Sequence, residues 1–163
     1  MFIGQEYKIF DWFFIHFVEN NGMAFGFEFG GYTGKMILTI FRLIVVSIGV
    51  KYLFVLTKQK LRIGTLIALG LILGGAIGDI IDSCFYGLIF DTSYNNIASF
   101  MPENGGYAPL LHGRVVDMLY FPLINTNINN YHFVFFRPIF NIADAGISVG
   151  AILILLFYKK DFK

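Results

Sequence analysis

Charge is what this sequence most lacks. Only 14% of its 163 residues are Asp, Glu, Lys or Arg, against about 25% in ordinary soluble domains. Neither sign prevails: the formal net charge is +1, so no basic surface offers itself to nucleic acid. A single cysteine, Cys84, excludes an internal disulfide framework and a cysteine-based zinc site. His16, His112 and His132 are scattered, with no acidic partner at metal-ligand spacing, so no metal and no other cofactor is called for. No internal repeat is evident. No secretory leader with a charged start and an apolar centre opens the chain either.

What is present is apolar surface. Hydrophobic residues make up 56% of the chain and the mean hydropathy is +0.68. Twenty Phe and nine Tyr suit a lipid-facing surface with aromatic belts at both interfaces, and Trp12 with Phe13 and Phe14 reads as an interfacial anchor. The expectation is an all-α integral membrane protein forming one domain over residues 1–163. A bilayer core of about 30 Å needs roughly 20 apolar residues in a helix. Three segments meet that need, at about residues 36–56, 66–90 and 139–158. Lys58, Lys60 and Arg62 lie between the first two, and Lys159, Lys160 and Lys163 follow the third. Positive charge in short loops marks the cytoplasmic side, so residues 1–32 and 91–138 are expected outside. An outside N-terminal segment needs something to carry it across. A transmembrane helix preceding this sequence, or a start at an internal methionine, is therefore expected.

The few charges inside the spans are the informative ones, because each costs about 2.5–3.5 kcal/mol at mid-bilayer on insertion scales and tends to be functional. With the orientation above, Arg42, Asp79, Asp82, Asp144 and the neighbouring Asp117 all fall in one outer layer. Asp79 and Asp82 are three apart and share a helix face, as do Asn141 and Asp144. Two carboxylates brought close cannot both ionise easily, so one keeps a proton near neutral pH. Such a pair can activate water with one member and protonate a leaving amine with the other. From composition and position alone, catalysis stands beside structural ion pairing and cation-coupled transport.

Four motifs tip the balance. Residues 19–26 read ENNGMAFG, residues 74–82 GGAIGDIID, residues 113–118 GRVVDM and residues 140–147 FNIADAGI. In this order they resemble the lipoprotein signal peptidases, the signal peptidase II family of bacterial inner-membrane aspartyl proteases. The likeness runs from about Phe10 to Phe157. It implies four transmembrane helices with a small β cradle and a surface helix on the extracytoplasmic side. It also implies cleavage of diacylglyceryl-modified prolipoproteins just before the lipidated cysteine, by a monomer in the bacterial cytoplasmic membrane. Carried over by motif, Asp117 and Asp144 would be the catalytic acids. Asn20 and Gly22 would shape the substrate site, Asn141 would support the dyad, and Asp82 would match an acid of the Gly-Asn-x-x-Asp-Arg motif. Glycines 74, 75 and 78 are expected to serve close helix packing.

The sequence departs from that pattern at Asp79, where Asn is usual, and at Ser83, where Arg is usual. Asp82 and Asp117 are 35 positions apart, which implies an insertion of roughly residues 91–112; a Bacteroidetes-like branch of the family is similar there. The family's first helix has no counterpart in this sequence. With an extra acid at position 79 and no cation at 83, Arg42 is expected to offset the charge, with Arg114 second. The aromatic outer loop is expected to close over a bound peptide. Two rivals remain: a non-catalytic or truncated membrane scaffold, and a cation-coupled transporter using Asp79, Asp82 and Asp144.

Overall fold

A computed structural model describes residues 1–23, 30–59, 61–128 and 131–161. In chain order these form β1 (Glu6–Phe10), β2 (Phe13–Asn20), α1 (Gly31–Leu56), α2 (Ile63–Ile89), β3 (Val115–Tyr120), β4 (Ile124–Ile128), β5 (Tyr131–Phe135), β6 (Ile139–Phe140) and α3 (Ile142–Asp161). Helices α1 and α2 are long and apolar enough to cross a membrane. Their outward rows, Phe41, Ile44 and Ile48 on one and Ile67, Ile81 and Phe85 on the other, are exposed. An apolar surface of that extent matches lipid and not water.

The third expected span is shorter than its hydropathy implies. Ile139 and Phe140 are drawn into strand β6, so the helix starts only at Ile142, and its apolar stretch is Ile142–Leu156. Packing of α3 on α2 depends on glycine. A Cβ on Gly75 would run into the Ala143 carbonyl, and one on Gly150 would lie 2.6 Å from the Ala68 carbonyl oxygen. At Gly78 a Cβ would make ordinary contact with Ala143, at 3.4 Å. Gly74 is different: a Cβ there would meet nothing within 4 Å, so close packing demands glycine at 75, would admit a methyl in ordinary contact at 78 and places no constraint at 74.

Helices alone do not describe the fold, which corrects the all-α expectation. Four antiparallel strands form one sheet in the order β1-β2-β3-β6, and β4 and β5 form a separate hairpin. Aromatic and β-branched residues dominate β2 (FFIHFVEN) and β3 (VVDMLY), as suits a pleated, half-buried surface. Asp117 pairs with Val18, Val116 with Glu19 and Val115 with Asn20; the register slips between Ile15 and Val18, a bulge that bends the ribbon locally. β6 closes the sheet by pairing Phe140 with Leu119, which hands the chain directly to the start of α3. The surface helix is not among the described elements.

Trp12 sits in the turn between β1 and β2. It is stacked between Phe10 and Phe121, at centroid distances of 5.4 and 6.1 Å, and is half exposed. Cys84 is a buried free thiol.

Candidate active site

Strand parity decides which side chains meet. Successive residues of a strand point to opposite faces, so Val115 and Asp117 of β3 line one cleft while Val116 and Met118 line a cavity behind it. The front cleft, of 530 Å³, also receives Asn20 and Gly22 from the end of β2, Arg42 from α1, Asp79 from α2 and Asp144 from α3. Residues far apart in sequence thus converge where the sheet meets the ends of three helices. Arg137, Pro138, Ile139 and Phe140 form a further wall.

Asn141 ties the acids together. It stands just before α3, in the N-cap position. Its side-chain oxygen accepts the Asp144 N–H at 2.9 Å, and the Asp144 carboxylate accepts the Asn141 N–H at 3.3 Å. This reciprocal arrangement satisfies two of the amides that every helix start leaves without partners. The same Asn141 uses its side-chain NH₂ to donate to Asp117 at 2.9 Å and to Asp79 at 3.3 Å. One residue therefore caps α3, orients Asp144 and fixes two further carboxylates. Asp144 lies in the first turn of α3, where the helix dipole favours negative charge.

Asp117 is buried at 6% exposure. Each of its oxygens accepts an amide hydrogen bond, Oδ2 from Asn20 and Oδ1 from Asn141. Burial and the facing charge of Asp144 nonetheless push its carboxyl up to about 7, outweighing the two amides, which pull the other way. A carboxyl that shares a site with a second acid and holds its proton near neutral pH can give and take a proton at physiological pH.

The turn after β2 is held from α1. Gly22 has φ +89°, and a Cβ there would lie 2.7 Å from Arg42 Nη1, so both backbone conformation and space require glycine. The Gly22 N–H donates to the Asn20 side-chain oxygen, an Asx turn that aims the Asn20 NH₂ at Asp117. Arg42 donates through Nη2 to the Gly22 carbonyl; its Nη1 is buried and has no hydrogen-bond partner among the described residues. Lys35, seven residues before Arg42 on α1, donates to the Asn21 carbonyl at 3.1 Å and to Ser83 Oγ at 3.0 Å. The sequence analysis missed Lys35. Its signal was there, since Lys35, Thr39 and Arg42 repeat at helical spacing along one face of an otherwise apolar segment.

Two expected members lie outside the front cleft. Asp82 lines the rear cavity, of 300 Å³, with Phe17, Tyr86, Phe90 and Tyr107, and shares a further cavity of 410 Å³ with Asp79 and Asn141. Arg114 donates to Glu19 at 3.0 Å and lies over the Tyr107 ring at 5.3 Å. It is a partner of Glu19, and no described hydrogen bond or ion pair joins it to Asp79, Asp117 or Asp144. The insertion also packs behind the sheet: Asp91, Ile97, Ala98 and Tyr107 line the rear cavity, and no residue of 91–112 is among the described residues lining the cleft. The insertion thus stands behind the sheet and not over the cleft.

Two long apolar helices carrying a small antiparallel sheet, with buried carboxyls where they meet, define a membrane-embedded enzyme. Two solved structures of bacterial membrane enzymes, obtained by the in meso method at 2.3 and 1.9 Å, share the fold. Their TM-scores are 0.57 and 0.56 and their identities 28% and 27%. They match 100% and 99% of this chain, and the match spans 76% and 79% of theirs. Residues 1–159 match the signal peptidase (SPase) II family, and the chain belongs to it. The lipoprotein signal peptidase of Porphyromonas gingivalis is 45% identical over 98% of this chain and 73% of its own length. That of Chlorobium luteolum is 34% identical over 93% of this chain and 72% of its own.

Proposed function

We propose that this protein is an aspartic lipoprotein signal peptidase of the bacterial cytoplasmic membrane. It cuts diacylglyceryl-modified prolipoproteins before the lipidated cysteine, on the extracytoplasmic side, with Asp117 and Asp144 as the catalytic pair. The observation that carries the reading is the Asp117 carboxyl, buried beside Asp144 in a 530 Å³ cleft and raised to about 7.

Hydrolysis follows general acid–base logic. With one proton shared by the pair, the ionised carboxyl takes a proton from a water as that water attacks the scissile carbonyl. The protonated partner then gives its proton to the departing amine. The titration belongs to the pair and not to either residue. Asn20 and Asn141 hold Asp117 in place from two sides, and Asn141 alone holds Asp144. Arg42 lines the same cleft, and its Nη1, without a hydrogen-bond partner among the described residues, can donate to a substrate carbonyl. A lipid-anchored substrate brings the scissile bond to the membrane surface where the cleft opens, which supplies orientation at little further entropic cost. One domain, acting as a monomer, suffices.

The test is cleavage of a diacylglyceryl-modified prolipoprotein in liposomes by the parent protein, Asp117→Asn and Asp144→Asn, each checked for folding. Both variants are expected to lose at least about a thousandfold in kcat. In the parent, kcat/KM is expected to fall as pH rises above about 7, where Asp117 gives up its proton. A folded Asp117→Asn that still cleaves would reject the dyad, and the scaffold reading would gain if no form cleaves.

A further inference from the structure

Lys35 is a charged side chain that the proposed chemistry does not use. It is 6% exposed, and both of its hydrogen-bond partners, the Asn21 carbonyl and Ser83 Oγ, are neutral oxygens. Burying an ammonium on neutral partners is costly; Asp79 and Asp82 lie within electrostatic reach of it and offset part of that cost, but neither accepts a described hydrogen bond from it. Its hydrogen bonds point instead to a role at the turn after β2. Thr39, one turn further along α1, places its Oγ1 3.0 Å from the Lys35 carbonyl oxygen and 3.1 Å from that of Leu111, its one hydrogen shared between them, which pins this face of the helix. Arg42 binds the Gly22 carbonyl from the same face. Two cations of one helix thus hold consecutive carbonyls of the Asn21-Gly22 peptide segment. The residue just before that segment is Asn20, whose amide reaches Asp117.

Building on the aspartic peptidase reading above, we propose that Lys35 is a positioning residue for the dyad, clamping the Asn21 carbonyl so that the Asn20 amide stays on Asp117. The action runs through the backbone. With the Asn21 carbonyl fixed by Lys35 and the Gly22 carbonyl by Arg42, the peptide plane between them is set, and the Gly22 N–H holds the Asn20 side-chain oxygen. The Asn20 NH₂ then has one direction left. Without Lys35 the carbonyl at 21 is free to rotate, the Asx turn loosens and Asp117 loses one of its two amide donors. The other groups around Asp117 are Asn141, Asp144 and Asp79, with Arg42, Glu19 and Arg137 in the same cleft. None of these contacts Lys35 by a described hydrogen bond; Asp79 feels its charge, and the hydrogen-bonded route from Lys35 to Asp117 runs through Asn20.

The experiment is a double-mutant cycle on prolipoprotein cleavage, with Lys35→Met, Asn20→Ala, the double variant, Lys35→Arg and Asp117→Asn measured side by side. Lys35→Met is expected to lower kcat roughly tenfold to a hundredfold, the range for a slightly misplaced catalytic group, with little change in KM. The double variant is expected to be no slower than Asn20→Ala alone, because the two residues act in series. Lys35→Arg is expected to recover most of the activity. The alkaline fall of kcat/KM is expected to move to higher pH equally in Lys35→Met and Asn20→Ala, since the Asn20 amide holds the Asp117 carboxyl down. Lys35→Leu, which also lacks a donor, replaces Lys35→Met if the latter does not fold. A folded Lys35→Met or Lys35→Leu with parental kcat and pH profile, or losses that multiply with those of Asn20→Ala, overturns the inference while Asp117→Asn stays inactive. An Asp117→Asn variant that still cleaves overturns the dyad and this inference with it.

Discussion

At the residue scale, the distinctive object is a carboxyl kept protonated near pH 7 inside a chain with few charges. Asp117 has a folded-state value well above the ordinary carboxylate range, up to about 7. The folded protein therefore binds a proton there more tightly than the unfolded chain does. Its contribution to stability is fully present below the unfolded value near 4, and it is lost as pH rises through about 7. Asp117→Asn removes that titration. Thermal unfolding in detergent is expected to show the difference between variant and parent moving in the variant's favour from pH 5 to pH 8, whatever constant offset the amide introduces. A pH-independent difference would mean that Asp117 ionises in the folded protein as it does in the unfolded one. The sequence made this acid visible through GRVVDM. It did not reveal which acid would stand beside it, because that depends on β3 pairing with β2 and β6 in a particular register. Asp82 illustrates the cost of reading without register. It lies in the same motif as Asp79, three positions on, but the turn of the helix sends it to the rear cavity with Val116.

At the element scale, the start of α3 is set by how closely its backbone approaches α2. Gly75 is where that approach is tightest, against the Ala143 carbonyl, one residue before Asp144. Gly75→Ala forces the helices apart at this point. The expected cost is about 1–3 kcal/mol, as for other overpacked contacts, together with loss of peptidase activity as Asp144 moves off Asn141 and Asp117. Gly74→Ala is the control. A Cβ there meets nothing within 4 Å, and alanine favours helix by about 1 kcal/mol over glycine, so unfolding temperature and cleavage are expected to hold or improve. Equal damage from both would show that the α2–α3 contact is not as close as described. The run GGAIG told of close packing but not of which glycine makes it, since helix phase relative to the neighbour is a tertiary property. The strands were harder still. β3 is six residues long and puts Asp117 on its buried face and the apolar Val116 and Met118 on the more open one, so it shows no apolar–polar alternation, and β6 with two residues has no sequence signature of its own. Counting hydropathy therefore assigned Ile139 and Phe140 to a span.

At the scale of the whole molecule, the 91–112 insertion works as a brace behind the sheet. Its backbone follows the end of α2, where helix carbonyls would otherwise lack partners. Met101 N–H donates to the Ile89 carbonyl at 2.8 Å, Ala108 N–H to Gly87 at 2.9 Å and Tyr107 N–H to Phe90 at 2.9 Å. Ser93, 2% exposed, donates its hydroxyl to Glu19 on β2, and its carbonyl accepts the Ile3 N–H at 3.0 Å. Glu19 in turn holds Arg114 at the entry to β3. The insertion thus joins α2, β2 and β3 at their rear, while the described walls of the cleft come from other segments. Replacing Tyr94–Gly106 with a short glycine linker removes Met101 and the loop that packs on the rear cavity. The Met101–Ile89 bond and the two bonds between Asp91 and Ser99 go with it, each worth about 0.5–1.5 kcal/mol, and each kilocalorie lowers the unfolding temperature by about 2–4 °C in a protein of this size. A marked loss of thermal stability is expected, with kcat on a diacylglyceryl-modified prolipoprotein, measured well below the new transition, within about threefold of the parent. The opposite pattern, an unchanged unfolding temperature with cleavage abolished, would mean that the loop reaches forward to the substrate during turnover. It would then act as a lid after all, closing only when peptide is bound.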